Sequence, residues 1–440
     1  MTLGPSFIGH PGYCQRAAKV LLDRHLNGVP SLQKLPVRSA MLILRGCINC
    51  RPGYLARATE RTHTGGPLQE FDRAVDKAIR DMLDAGDDEF AVNVVRSVRV
   101  LPEVCGGLNM PKHSAGPASD KGVILSRFLC SDSLPDHLVD QTATDWPKTK
   151  METFIDERDP ELPVDINPKK FYKTVSLEMY QVQLQIVLNA LTNANKHLEK
   201  RWLQASCFHN SARWIHWNGG VRQRFNFTNT QYKIASRMKL LLPLLSPGDE
   251  DLVCPCKAAN PIHLCDDPYH FLSCELLRGQ QTKRHTTVCS ILADFAAGFC
   301  SGGGEVVKEP PIPFGQTKRP DIRMRKAGGL TQFLDVAITN PCSATNMAHA
   351  NAATTGNAAL LNENRKRLEY VGLHNFTPFV LEATGYMGAA ALQFADKIRN
   401  LDRNSKPFYK HAFYAEMLAS IAIANAEMCL LGYRQAFVAS

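Results

Sequence analysis

Long apolar runs are what this chain lacks first. No stretch reads as ~18 consecutive apolar residues, so no membrane span is expected. The opening residues, Met1-Thr-Leu-Gly-Pro-Ser-Phe-Ile-Gly-His10, carry no basic segment followed by an apolar core, so a secretory signal is not expected either. The 14 Cys are scattered without the spacing of a disulfide framework, and reduced thiols follow. Paired acids in a strand turn, which a nucleotide polymerase needs to hold its metals, are also missing. Adjacent Asp occur only at Asp87-Asp88, in a Gly-Asp-Asp-Glu loop, and at Asp266-Asp267, among Cys and His. No internal repeat or low-complexity tract is evident. These absences together point to a nuclear or cytoplasmic protein, not secreted, with no membrane partner and no polymerase activity.

What is present is ordinary in bulk. Apolar residues make up 44% of the chain and charged ones 21%, the composition of a folded globular protein. Its 440 residues suffice for roughly two to four domains. The net charge of +9, from 51 Lys and Arg against 42 Asp and Glu, suits a nucleic-acid partner without requiring one.

The most informative stretch runs from Arg319 to Tyr370. Arg319-Pro320-Asp321 leads through Ile322-Arg-Met-Arg325 and Lys326-Ala-Gly-Gly329 to Phe333-Leu-Asp335-Val-Ala-Ile-Thr339. Apolar, β-branched flanks around a Gly pair predict a β-hairpin. With the turn centred near Gly328, Asp321 and Asp335 fall opposite each other, with Cβ atoms about 4.5–5.5 Å apart. Two carboxylates that close repel unless a cation or a proton lies between them. A hard ion such as Mg²⁺ suits the pair. A helix-prone run from about Ser343 follows, in which Lys366 and Tyr370 stand four apart and share a face. The plainer alternative is a surface hairpin with two solvated acids.

A second dense stretch holds Cys254, Cys256, His263, Cys265, His270 and Cys274 within 21 residues. Thiolates and imidazoles at this density suit a four-coordinate Zn²⁺, with His270 and Cys274 projecting from one helical turn. The single residue between Cys254 and Cys256 is tight for two ligands of one ion, so Cys265 or His263 remains an alternate. The metal would be structural, supplying much of the folding free energy of so short a segment.

Elsewhere the pattern is helical. Ala17–Leu26, Val37–Arg45, Pro67–Ala85 and Val92–Val98 read as helices, and a long one is expected over about Leu177 to Ala205. Ser131–Pro168, acidic and Pro-bearing, reads as a linker. Arg222, Arg224, Arg237 and Lys239, with aromatics between them, are candidate phosphate contacts. Toward the C-terminus, Leu276–Phe299 reads as a helix and Gly302–Pro311 as a loop and strand, in which Glu309 is either an acid placed to join the Asp pair or just a strand end. Thr377–Gly385 is a buried strand ending at a Gly, and Met387–Leu401 and Tyr409–Leu431 are covering helices.

Arg319-Pro-Asp321, Asp335, Lys366 and Tyr370 resemble the restriction-like endonuclease domain at the C-terminus of site-specific non-LTR retrotransposon polyproteins, a variant of the PD-(D/E)XK nuclease fold. That family's core is a basic residue, Pro-Asp, a second acid a dozen or so residues on, and Lys/Arg-x-x-x-Tyr downstream. The chain departs from the wider superfamily at Ala337, where a Lys is usual; the resemblance makes Lys366 its replacement. It also implies that Glu382, in a Glu-x-x-Gly segment, orders Lys366 or a metal-bound water, although an acid on the polar face of an edge strand is the alternative. Arg319 joins the nucleic-acid-binding cations.

The same family carries a Cys-Cys-His-Cys zinc knuckle behind an Arg-x-Lys-Leu-Leu-Leu-Pro run, here Arg237–Pro243, which selects Cys254, Cys256, His270 and Cys274. Upstream, Arg51-Pro-Gly-Tyr-Leu55, Phe71-Asp72 and Gly106-Gly-Leu-Asn-Met-Pro111 resemble the thumb of non-LTR reverse transcriptases. The resemblance therefore implies a helical thumb-like region over 1–125, a linker and helical nucleic-acid-contacting region over 126–245, a zinc knuckle over 246–285, and an α/β nuclease domain over 286–440. That last domain is a PD-(D/E)XK-like mixed sheet flanked by helices. The implied function is Mg²⁺-dependent DNA cleavage at a target site, with DNA and the element's RNA as partners. The chain would then be the C-terminal part of a retroelement polyprotein without its polymerase core. A relic that only binds nucleic acid is the rival reading.

Overall fold

The computed structural model describes residues 10–58, 61–115, 168–209, 211–216, 225–245, 249, 251–258, 260–300, 304–326, 328–329, 331–349, 351–401 and 408–439. The chain is mixed α/β, mostly helical, with one small sheet among the described residues. It divides into two compact units, 1–101 with 109–187, and 102–108 with 188–440. Residues 188–245, the Cys/His stretch and the sheet all share the second unit. The expected linker over 131–167, together with Arg222 and Arg224, lies outside the described residues.

The first unit is built on helices α1 (Pro11–Leu26), α2 (Val29–Leu32), α3 (Val37–Ile43), α4 (Pro52–Ala58), α5 (Arg61–Met82) and α6 (Glu89–Val98). Helix α5 starts six residues before the expected Pro67, which sits inside it despite the backbone bond a proline forfeits. Leu68, Phe71, Val75 and Ile79 recur at helical spacing and are buried, and α5 packs against α1 through Cys14, Ala18 and Leu22. Two acids of α5 point into the interior. Asp72 accepts from the backbone N–H of His113 and Ser114 and from the Ser114 hydroxyl. Asp76 pairs with the fully buried Arg99, whose guanidinium also donates to the Met110 carbonyl at 2.9 Å. The loop after Gly107 is thus tied down by charge-assisted bonds from one helix.

Helix α7 (Pro168–Asn193) carries the chain into the second unit. The single helix expected over 177–205 is two, α7 and α8 (His197–Ala205), because Asn195 takes a left-handed φ of 57° between them. Short α9 (Arg213–His216) and α10 (Asn229–Lys239) follow. Thr228 and Gln231 form a capping box that starts α10.

Helix α11 (Arg278–Phe299) precedes strands β1 (Glu305–Lys308), β2 (Ile322–Arg325) and β3 (Thr331–Thr339). After α12 (Ala344–Met347) and α13 (Asn357–Glu369) comes β4 (Phe376–Glu382). The sheet runs β1-β2-β3-β4, antiparallel except for the parallel β3–β4 pair. A parallel pair needs a crossover, which α13 supplies, and it packs on both strands it joins. Pro378 is tolerated in β4 because that strand is an edge. Helices α14 (Ala389–Leu401) and α15 (Phe408–Ala439) complete the unit, with α15 packed on α9, α10 and α11.

Within α15, Ala412–Ala439 is long and apolar enough by length and composition to cross a membrane, but 72% of its most apolar 18-residue window is buried inside the protein, as in a core helix.

Candidate metal centre and acidic site

The Cys/His stretch opens as a small antiparallel turn. Cys254 N–H donates to the Ile262 carbonyl, and Leu264 N–H to that of Leu252. The chain then coils into two 3-10 turns, His270–Leu272 and Glu275–Leu277, which bring His270 and Cys274 round to face Cys254 and Cys256. One ligand atom from each of the four lies within 4.8 Å of the other three. Cys254 Sγ is 3.7 Å from Cys274 Sγ, and Cys256 Sγ is 3.4 Å from His270 Nε2. Bond lengths of ~2.3 Å to sulfur and ~2.0 Å to nitrogen at tetrahedral angles require separations of about 3.8 and 3.5 Å. The four residues therefore form a group able to hold a metal ion, with a donor set compatible with zinc.

The alternates fall away. His263 and Cys265 are exposed and outside the group, and Cys265 Sγ contacts Asp266. Burial pushes the Cys254 thiol up to about 12 and raises Cys274, while it lowers His270. Neutral thiols are what such a pocket favours until a cation enters.

The cluster is not a free-standing module. Tyr269 stacks on Trp202 of α8 with ring centroids 4.4 Å apart, and Phe271 meets Tyr433 of α15 edge-on at 5.0 Å. Asn340, just past β3, donates to the Tyr269 carbonyl at 3.2 Å. Arg284 of α11 ties Asn425 of α15 (2.7 Å) to the Leu272 carbonyl (3.5 Å).

The second cluster is set by the hairpin register. Ile322 pairs with Leu334, and Gly328 takes the positive φ of 64° that suits the intervening turn. One step before Ile322 stands Asp321, and one step after Leu334 stands Asp335, so the acid just ahead of β2 falls across from the acid in the middle of β3. Asp321 Oδ2 accepts from the Val336 N–H at 2.6 Å and lies 3.2 Å from His285 Nε2 on α11. Asp335 is buried. Its Oδ1 accepts from the Tyr370 hydroxyl at 2.7 Å, and its Oδ2 lies 2.7 Å from the Lys366 ammonium. The same hydroxyl is 2.8 Å from the Arg319 carbonyl, so Tyr370 ties the chain before Asp321 to Asp335.

Electrostatics follow from this packing. Burial pushes the Asp335 carboxyl up and the charge of Asp321 adds to the rise, against the lowering pull of Lys366 and Tyr370. Burial lowers Lys366, but Asp335 and Glu369 outweigh it and the ammonium is held above its usual range. Lys366 thus stands where positive charge is demanded.

Other expected site residues are elsewhere. Glu382 is fully buried but lies opposite Thr339, whereas Asp335 lies opposite Pro378. Four residues along a strand is roughly 13 Å. Its Oε1 accepts from the Ala359 N–H, so it caps the start of α13 and reaches Lys366 only through that helix. Burial raises its carboxyl to about 7. Glu309 is exposed; its carboxylate is bound to Arg319 at 2.8 Å, and only its backbone N–H meets the pair, donating to the Asp321 carbonyl at 2.7 Å.

Among the expected nucleic-acid contacts, Lys239 is corrected. It is buried, donates to Ser211 Oγ at 2.9 Å, and burial lowers its ammonium to about 8, so no phosphate reaches it. Arg237 donates to the carbonyls of Pro243 and Leu245. The residue that the sequence reading missed is His285. Its signal was the His285-x-x-x-Cys289 spacing on one face of α11, which means little until the fold brings that face to Asp321. In comparisons with known proteins, no family model matches the chain and no curated protein does.

Proposed function

We propose that the second unit is a metal-dependent DNA endonuclease of the restriction-like, retroelement type, hydrolysing phosphodiester bonds with Mg²⁺ at the Asp321–Asp335 pair and carrying zinc at Cys254, Cys256, His270 and Cys274. The observation that carries this reading is one contact network. Asp321 and Asp335 face each other across the hairpin, and Lys366 and Tyr370 both reach Asp335. The four residues are those of the nuclease-like motif, drawn together from a hairpin and a helix. A mixed sheet flanked by helices supports the same family.

When bound, Mg²⁺ would supply Lewis-acid polarisation of the scissile phosphate and a hydroxide from its water. The protein's own groups do the rest. Asp321 is oriented by the Val336 N–H and His285, so its carboxylate cannot swing away from Asp335. Tyr370 fixes Asp335, and Glu369 steadies Lys366 at 3.2 Å. Asp321 and Asp335 would hold the ion, and Lys366, beside Asp335, would stabilise the charge that develops on the phosphate. DNA in the nucleus is the substrate this chemistry implies, with exposed Arg319 as a cation beside the site.

The test is nicking of supercoiled and branched DNA by the purified chain with Mg²⁺ against EDTA. Cleavage only with Mg²⁺ supports the reading. Salt-sensitive binding without cleavage, in Mg²⁺ or Mn²⁺, supports a relic that binds nucleic acid, a reading favoured by one observation: the Lys366 ammonium pairs with Asp335 at 2.7 Å.

A further inference from the structure

We propose that His285, Cys289 and Asp321 form a second metal site, for a borderline transition ion such as Zn²⁺, that competes with Mg²⁺ for Asp321. His285 and Cys289 stand four apart on α11 and so share one face, which packs against the sheet. Cys289 is buried there, and its Sγ lies 3.8 Å from His285 Nε2. The same nitrogen is 3.2 Å from Asp321 Oδ2. One ligand atom from each of the three lies within 4.8 Å of the other two. Those separations are close to the ~3.3–3.8 Å between ligands of a tetrahedral zinc ion.

The donor set decides the ion. One thiolate, one imidazole and one carboxylate suit zinc or cobalt, whereas a thiolate is a poor ligand for Mg²⁺. The His285 side chain is 35% exposed, so solvent can take the fourth position. Binding requires Nε2 without a proton, so His285 keeps a proton on Nδ1 alone, and the thiol proton of Cys289 is released to water. It also replaces the contacts that Nε2 now makes with Asp321 and with the Val336 carbonyl at 3.1 Å. Asp321 is the residue that the proposed nuclease chemistry needs for Mg²⁺. Zinc here withdraws it and switches the site off. That consequence rests on the nuclease reading; the metal count does not.

The experiment is a zinc count on the full chain. Reduced protein is stripped with chelator, reloaded with excess Zn²⁺, passed through gel filtration and analysed for retained metal. About two equivalents are expected in the wild type, and about one in Cys289→Ser and in His285→Gln. His285→Gln guards against a folding defect at the buried Cys289, and a thermal melt of each variant checks this. With Co²⁺ in place of zinc, Cys289→Ser also loses one thiolate's share of the sulfur-to-cobalt absorption. A wild type that retains one equivalent, or a folded variant that retains two, overturns the second site. A chain that binds two zinc ions, yet never cleaves DNA in Mg²⁺ after the second ion has been removed and the first retained, overturns the nuclease reading and leaves the site standing.

Discussion

At the scale of single residues, the buried acids and bases carry the account. Glu382 is held near 7 by burial, above the 4.5 of a free glutamate, so between those values the folded chain keeps a proton that the unfolded chain has released. Folding therefore binds protons in that window. The stabilisation is fully present below about pH 4.5 and is lost as pH rises through 7, a loss on the order of 3 kcal/mol. Glu382→Gln should flatten this dependence in denaturation midpoints taken from pH 5 to 8; an unchanged slope contradicts the assignment. Lys239→Ala is expected to lower stability and leave DNA affinity and its salt dependence alone, because its ammonium is buried on Ser211. A binding assay at two salt concentrations checks it. The sequence misjudged Lys239 because a basic residue in an amphipathic helix looks the same whether it faces solvent or a pocket. It gave Asp321 with Asp335 and Lys366 with Tyr370 as two pairs, because a hairpin register and a four-residue helical repeat are local; joining the pairs into one group rested on the resemblance to the nuclease motif. His285 lies 36 residues before Asp321, and only the tertiary fold joins them.

At the scale of elements, each unit is held by its own internal contacts. In the first, Asp76 on α5 pairs with Arg99, which has no solvent of its own. Asp76→Ala leaves that guanidinium buried with less compensation and should cost about 3–5 kcal/mol, read as a lower urea midpoint. In the second, the Cys/His turns dock on α15 where Gly432 meets the Phe271 ring so closely that a Cβ would overlap it. Gly432→Ala should force the two apart and cost about 1–3 kcal/mol. Because Phe271 follows His270, faster loss of zinc to a chelator is expected with it; a release rate equal to wild type contradicts that coupling. Most helices were legible from their apolar period, and α5 shows it at Leu68, Phe71, Val75 and Ile79. The break at Asn195 was not, since the apolar pattern runs on past one left-handed residue.

At the scale of the whole molecule, the Cys/His group and the acidic pair belong to one compact unit built on a four-stranded sheet. The Cys/His turns are bonded to Asn340 just after β3 and to Arg284 on α11. Stripping zinc should therefore lower the melting temperature of this unit, not just unravel residues 254–274, and calorimetry with and without a strong chelator measures it. The ligand choice was narrowed by structure, because exposure of His263 and Cys265 is invisible in their spacing. The central claim is that Asp321 and Asp335 act as a metal pair on DNA. Its most direct measurement is Mg²⁺-dependent cleavage by wild type, Asp321→Asn and Asp335→Asn at matched zinc content and melting temperature. The account predicts that wild type cleaves and that each Asn variant loses about three orders of magnitude in rate while still binding DNA. Variants that cleave as fast as wild type, or a wild type inert in both Mg²⁺ and Mn²⁺, would contradict it.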